Sequence, residues 1–174
     1  MWIEDIAVKK QISNNFNKGG MIRPLHGLVL HIEQGTEAGT YSWFNDPRAH
    51  ASAHFGNPKS GDLEQFVDTD DVAWAEMAGN HHWISVENEG KSGDSLTPTQ
   101  VSNLADLLGW LHWNEDVPLK LADGPAGYGL GYHAMGGKSW GNHMQCPGAP
   151  IIGQRLLIIE RAGFWRPPDT GVLV

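Results

Sequence analysis

A short apolar run at residues 25–36, LHGLVLHIEQGT, constrains the fold of this chain most strongly. It is partly β-branched and is closed by Gly35, which is typical of a buried central strand. The run WISVENE at residues 83–89 has the same character and predicts a second buried strand. Strands of this type are covered by helices, so the two runs predict an α/β protein with a central sheet.

The segment that begins at Thr97 has the clearest helix pattern. Thr97 can cap the helix, Pro98 suits its first turn and Gln100 completes a capping box. Apolar residues then recur at helical spacing until Pro118 stops them: Val101, Leu104, Leu107, Leu108 and Leu111. We expect this helix to pack on the sheet.

Four further elements follow from shorter patterns. A short helix is predicted from Thr40 to the residue before Pro47, and a hairpin over residues 51–67. Residues 72–79, VAWAEMAG, predict another short helix, and residues 151–162 a last helix ended by a glycine. Without an internal repeat, the chain is predicted to form one domain over residues 1–165, with residues 166–174 as a tail or linker.

Composition excludes several classes of function. A net charge of −8 argues against a nucleic-acid partner, because phosphate binding needs a basic surface. No apolar run approaches the roughly 20 residues of a membrane span, so no membrane contact is expected. The N-terminal sequence MWIEDIAVKK carries acidic residues where a secretory signal would be basic and then apolar. We therefore expect a monomer of 174 residues without a signal peptide.

The stretch from Gly127 to Pro150 is too rich in glycine for a helix or a central strand, yet it holds His133, His143 and the chain's single cysteine, Cys146. Histidine and cysteine are preferred zinc ligands, and His31 lies at the end of the first predicted strand. Three protein ligands plus a water are typical of a catalytic zinc. Taken one by one, a surface histidine and a buried apolar cysteine remain the simpler interpretations.

The order of five motifs is more specific than any one of them. GLVLHIEQGT, ASAHF, WISVENEG, a GYH loop and CPG together resemble the type 2 N-acetylmuramoyl-L-alanine amidases, which include phage endolysins and are similar to peptidoglycan recognition proteins. The resemblance covers about residues 22–162. It implies a mixed central β-sheet flanked by helices, a zinc site in a groove, and hydrolysis of the amide between the lactyl group of muramic acid and L-alanine.

The resemblance also implies roles for individual residues. His31, His133 and Cys146 match the three zinc ligands of the family, and Glu87 matches its acid/base. Ala53 precedes His54 where other members have a tyrosine, so Glu87 would act without that tyrosine's help. His54 itself is expected to be a hydrogen-bonded strand residue on the groove wall.

This chain also differs from the family pattern at the residue two positions before the last zinc ligand. The family usually has a lysine or threonine there that stabilises the oxyanion, whereas this chain has Met144. His143 is the predicted substitute for that donor. The spacing His143-x-x-Cys146 also suits a zinc site in which His143 displaces His133, and this alternative stays open.

The predicted function is therefore a Zn²⁺-dependent amidase with peptidoglycan as its substrate. The lack of a secretory signal is typical of a phage endolysin or cell-wall lytic enzyme that stays in the cytoplasm until a holin-type route releases it, although a cytoplasmic recycling amidase fits equally well. Two other functions remain open. One is a module that binds peptidoglycan without cutting it, and the other is a zinc peptidase that cuts the stem peptide.

Overall fold

The computed structural model describes residues 1–168, which form an α/β protein around a six-stranded mixed sheet. Its strands are β1 (Val8–Lys9), β3 (Gly27–Ile32), β4 (Phe55–Asn57), β5 (Glu64–Gln65), β7 (Trp83–Asn88) and β8 (Gly129–Tyr132), in the spatial order β1-β5-β4-β7-β3-β8. A separate antiparallel pair is formed by β2 (Phe16–Gly20) and β6 (Asp71–Ala73). The predicted fold class is confirmed.

Four parallel strands, in the order β4-β7-β3-β8, make up one side of the sheet and end in the edge strand β8. Strand β3 lies between β7 and β8 and is parallel to both, and every residue of β3 is buried. The two apolar runs of the sequence are thus the central strands β3 and β7, as predicted. Strands β4 and β5 pair antiparallel within the hairpin predicted over residues 51–67.

The helices are α1 (Glu37–Phe44), α2 (Pro98–Glu115), α3 (Ala149–Gly153) and α4 (Arg155–Ala162). At the start of α2, the Thr97 side chain accepts a hydrogen bond from the Gln100 N–H while the Gln100 side chain accepts one from the Thr97 N–H, so the predicted capping box is present. The apolar stripe of α2 joins Leu28 and Leu30 of β3 and Ile158 of α4 in the largest core cluster. Side chains alternate across a strand, so Val29 and His31 face the opposite side of the sheet from α2.

Three helix predictions differ from the structure. The single helix predicted over residues 151–162 is two short helices, α3 and α4, divided at Gln154. Residues 72–79 are not a helix: they form the end of β6 and a single 3₁₀ turn at Met77–Gly79. Val72 and Ala73 are instead buried in the strand that pairs with β2, while Met77 is exposed, because tertiary contacts outweigh a weak local preference. Helix α1 begins at Glu37 rather than Thr40, with Thr36 as its cap.

The described part of the C-terminal tail has no regular secondary structure. Residues Arg166–Pro168, the described part of the predicted tail, contain no helix or strand, and the rest of that tail lies outside the described residues. Within residues 1–168, no helix is both long and apolar enough to cross a membrane.

Candidate active site

His31 and Glu87 lie side by side on the two central strands. They are register partners in the parallel pair β3–β7, and His31 Nδ1 lies 3.8 Å from Glu87 Oε1. The imidazole is only 2% exposed, whereas the carboxyl group is 18% exposed. Because both follow the carboxyl ends of parallel strands, they lie at the edge of the sheet where α/β proteins place their sites.

His133 reaches the same edge from the end of β8. It is the first residue of an irregular 3₁₀ segment, His133–Trp140, and its ring centroid lies 4.3 Å from that of His31. His133 Nε2 lies 3.0 Å from the Trp140 carbonyl oxygen. A carbonyl can only accept a hydrogen bond, so Nε2 carries the proton and Nδ1 keeps its free lone pair.

Cys146 is held beside His133 by main-chain hydrogen bonds. The Ala134 N–H donates to the Cys146 carbonyl oxygen at 2.9 Å, and the Cys146 N–H donates to the His143 carbonyl oxygen at 3.0 Å. The glycine-rich stretch is therefore an ordered loop that folds back on the end of β8. One ligand atom each from His31, His133 and Cys146 lies within 4.8 Å of the others, a group that could hold a metal ion.

The electrostatic environment of these three residues suits a cation. Burial lowers the pKa of His31 and of His133 to about 3, so both rings are neutral at physiological pH. Burial, and next the nearby Glu87, raise the pKa of the Cys146 thiol. A bound cation would offset the cost of burying a negative charge on Cys146 and would favour the thiolate, because metal binding and thiol deprotonation are coupled.

His143 lies outside this three-atom group. Its ring stacks on that of His133 with the centroids 4.6 Å apart, and its side chain is exposed at the rim of the site. The geometry thus favours His133 over His143 as the partner of His31 and Cys146. His143 lies where it could contact a molecule bound in the groove.

Glu76 is a site residue that the sequence analysis missed. Its Oε1 lies 2.8 Å from His31 Nε2, and its side chain is fully buried. The helix predicted over residues 72–79 gave no reason to place this acid near His31. The available signal was a single carboxylate in an otherwise apolar segment, since buried acids are rarely found without a partner.

An open groove of about 660 Å³ lies over the site. His31, His133 and Cys146 line it together with Glu87, His143 and Met144, and aromatic side chains of Trp74 and Trp140 form part of its walls. His54 does not line this groove, contrary to the expectation for the groove wall. Its ring is buried within the sheet, with Nδ1 3.0 Å from Ser85 Oγ and Nε2 3.1 Å from the Asp71 carbonyl oxygen.

A family model described as N-acetylmuramoyl-L-alanine amidase matches residues 22–149. That match spans β3, β7 and β8 and nearly all of the site. The chain belongs to the N-acetylmuramoyl-L-alanine amidase family. The chain is also 35% identical over 69 residues to N-acetylmuramoyl-L-alanine amidase A of Achromobacter lyticus. The matched stretch makes up 39% of this chain and 39% of that relative.

Solved structures share the fold of this chain at low sequence identity. The hydrolase AmiA of Staphylococcus aureus has a TM-score of 0.69 at 16% identity, covering 90% of this chain and 83% of that one. A mutant endolysin from Bacillus subtilis gives 0.65 at 15% identity, covering 91% and 100%. A selenomethionine derivative of AmpD gives 0.63 at 18% identity, covering 91% and 96%.

Glu87 belongs to a group of carboxyl side chains with raised pKa values. Burial, together with the charges of Glu33 and Glu76, raises the pKa of Glu87 to about 8. Glu37 is 7% exposed, and burial followed by its contact with Glu33 raises its pKa to about 10. Neither oxygen of Glu37 has a hydrogen-bond donor among the described residues. The folded chain therefore keeps protons on Glu37 and Glu87 at a pH where the unfolded chain would lose them.

We expect the variant Glu37→Gln to stabilise the folded protein at alkaline pH. The raised pKa means that Glu37 stabilises the fold fully below about pH 4.5 and that this contribution is lost as the pH rises toward 10. The amide carries no charge, so thermal denaturation at pH 9 should show a higher Tm than wild type, by about 2–4 °C for each kcal/mol regained. The difference should shrink at pH 5. An unchanged pH dependence would contradict the assignment, and the exposed Glu4→Gln serves as the control.

Proposed function

We propose that the chain is a zinc-dependent N-acetylmuramoyl-L-alanine amidase that hydrolyses the amide between the lactyl group of muramic acid and L-alanine in peptidoglycan. The observation that carries the proposal is the group of His31, His133 and Cys146 beside Glu87 at the floor of an open groove. Family membership supports the reaction type.

The donor set fits zinc among the divalent metals. Two imidazole nitrogens and a thiolate are typical zinc ligands, whereas magnesium and calcium prefer oxygen. Both histidines have Nε2 engaged by a neighbouring oxygen, so each has Nδ1 left for the ion. Three protein ligands facing a groove leave a fourth position for water or substrate, as catalytic zinc sites do.

Glu87 is the proposed general acid/base of the reaction. When bound, zinc would polarise the scissile carbonyl and make the attacking water more acidic. Glu87 Oε1 lies beside the ligand group, and its carboxyl group is partly open to the groove. Its raised pKa suits a residue that first takes a proton from water and then gives it to the departing amine of L-alanine.

His143 is the proposed donor to the tetrahedral oxyanion. Its exposed ring at the groove rim can turn toward a bound substrate while the neighbouring His133 stays fixed by Trp140. Met144 occupies the position from which other members donate, and a thioether cannot donate a hydrogen bond. The histidine one position earlier therefore supplies the missing donor, which stabilises charge that develops only in the transition state.

Digestion of purified peptidoglycan tests the proposal. The zinc-loaded protein should release fragments with new L-alanine amino termini, and prior treatment with a chelator should abolish that release until zinc is restored. Fragments with other new amino termini would instead identify a stem-peptide peptidase. Binding without any cleavage would identify a recognition module. A lytic role of the endolysin type, which we also propose, predicts loss of turbidity when the protein is added to permeabilised bacteria.

A further inference from the structure

The hydrogen bond between Glu76 and His31 is a deeply buried polar contact beside the site. Glu76 Oε1 and His31 Nε2 are 2.8 Å apart, and the two side chains are 0% and 2% exposed. Glu76 is absent from the groove lining, so a substrate in the groove would not touch it. Glu76 can therefore act only on neighbouring site residues, and His31 is the one to which it is hydrogen-bonded.

We propose that Glu76 is a positioning residue for the metal site: its carboxylate accepts the His31 Nε2–H and so holds the ring with Nδ1 toward the ion. The inference rests on the zinc site of the proposed function. A carboxylate behind a ligating histidine fixes its tautomer and orientation and increases its basicity. Glu76 would thus strengthen zinc binding without contacting the metal or the substrate.

The backbone around Glu76 is built to hold that carboxylate in place. Asn80 Oδ1 accepts hydrogen bonds from the N–H groups of Ala75 and Glu76, at 3.1 and 2.6 Å. The Gly79 N–H donates to the Glu76 carbonyl oxygen at 2.8 Å, which closes the turn. Glu76 therefore sits in a tight, internally bonded turn. Its Oε2 has no hydrogen-bond partner among the described residues, so rotation of the side chain away from His31 would leave both carboxyl oxygens buried without one.

The same turn is packed against the residue that orients His133. Gly79 lies so close to the Trp140 indole that a Cβ at this position would be 2.7 Å from ring atoms. The Trp140 carbonyl oxygen accepts the His133 Nε2–H. The turn Glu76–Asn80 and Trp140 thus form one packed unit. This unit carries both oxygen atoms that orient the imidazole rings of His31 and His133.

Zinc affinity measured without substrate tests the inference. Competition with a chromophoric chelator should show Glu76→Ala binding zinc about 10–100-fold more weakly than wild type. Glu76→Gln keeps an oxygen acceptor, so a smaller loss of about threefold to tenfold is expected, below the range for complete removal of the partner. The control Glu37→Gln also turns a buried carboxyl into an amide, but Glu37 is hydrogen-bonded to none of the ligand residues, so its zinc affinity should match wild type.

A spectroscopic measurement separates positioning from simple stabilisation. In ¹H–¹⁵N spectra of the zinc-loaded wild type, the His31 Nε2 proton should appear far downfield because it is bonded to a carboxylate, and it should move upfield in Glu76→Gln. If Glu76→Ala does not fold, the zinc affinity and the His31 proton shift of Glu76→Gln test the inference.

Wild-type zinc affinity and an unshifted proton in a folded Glu76 variant would overturn the inference, as would a wild type that binds no zinc. A wild type that binds zinc and does not cut peptidoglycan would overturn the amidase activity alone.

Discussion

Glu87→Gln is expected to lower the rate of peptidoglycan cleavage about 10²–10⁴-fold while zinc stays bound. The amide keeps the shape of the carboxyl group but can neither accept a proton from water nor deliver one to the leaving amine. Glu87 lies 3.8 Å from His31 Nδ1 without belonging to the ligand group, so the metal content should not change. Release of L-alanine amino termini and metal analysis of the same preparation measure the two effects separately.

Glu89→Gln is the matched control for that experiment. Glu89 is two residues further along the chain, and its Oε2 accepts a hydrogen bond from the Lys59 N–H at 2.7 Å, away from the groove lining. Its replacement should leave the cleavage rate within a factor of two or so of wild type, as for other surface changes. A Glu87→Gln protein that cleaves at the wild-type rate would contradict the acid/base role.

His133→Ala and His143→Ala are expected to differ in zinc content. Removal of His133 takes away one of three donor atoms, so the purified variant should contain little zinc and should lose activity almost completely. Removal of His143 leaves all three donors in place, so zinc should stay stoichiometric while the cleavage rate falls about 10²–10³-fold through loss of one oxyanion donor.

The contrast between these two variants settles the open choice between the two histidines. Metal analysis after extensive dialysis, followed by digestion of peptidoglycan with equal amounts of protein, gives both readouts. If His143→Ala lost its zinc and His133→Ala kept it, the ligand assignment would be reversed. Equal loss in both would indicate a site that uses all four side chains.

Local sequence patterns predicted those elements whose structure depends on nearby residues. The capping box of α2 and the β-branched runs of β3 and β7 are of this kind, because their signals lie within a few residues. His31 and Glu87 could be placed at strand ends for the same reason. The pairing of these two strands in register, which makes the two residues neighbours, was not visible in the sequence.

The unpredicted parts of the site depend on contacts between distant segments. Glu76 meets His31 only because β6 pairs with β2 and turns back at Asn80, whereas the local pattern favoured a helix. The choice between His133 and His143 likewise depends on how the glycine-rich loop folds back, through the Ala134 to Cys146 hydrogen bond. Neither contact leaves a periodic signal in the chain.

The position of β3 between β7 and β8 has a consequence for the order of folding events. His31 and His133 are separated by more than half of the chain, and they become neighbours only when β8 docks on β3. Closing so large a loop is entropically costly, so contacts of this range tend to form late. Zinc binding would then follow assembly of the sheet and would not nucleate it. The rate of zinc uptake by a refolding chain would therefore report the rate at which the tertiary structure is completed.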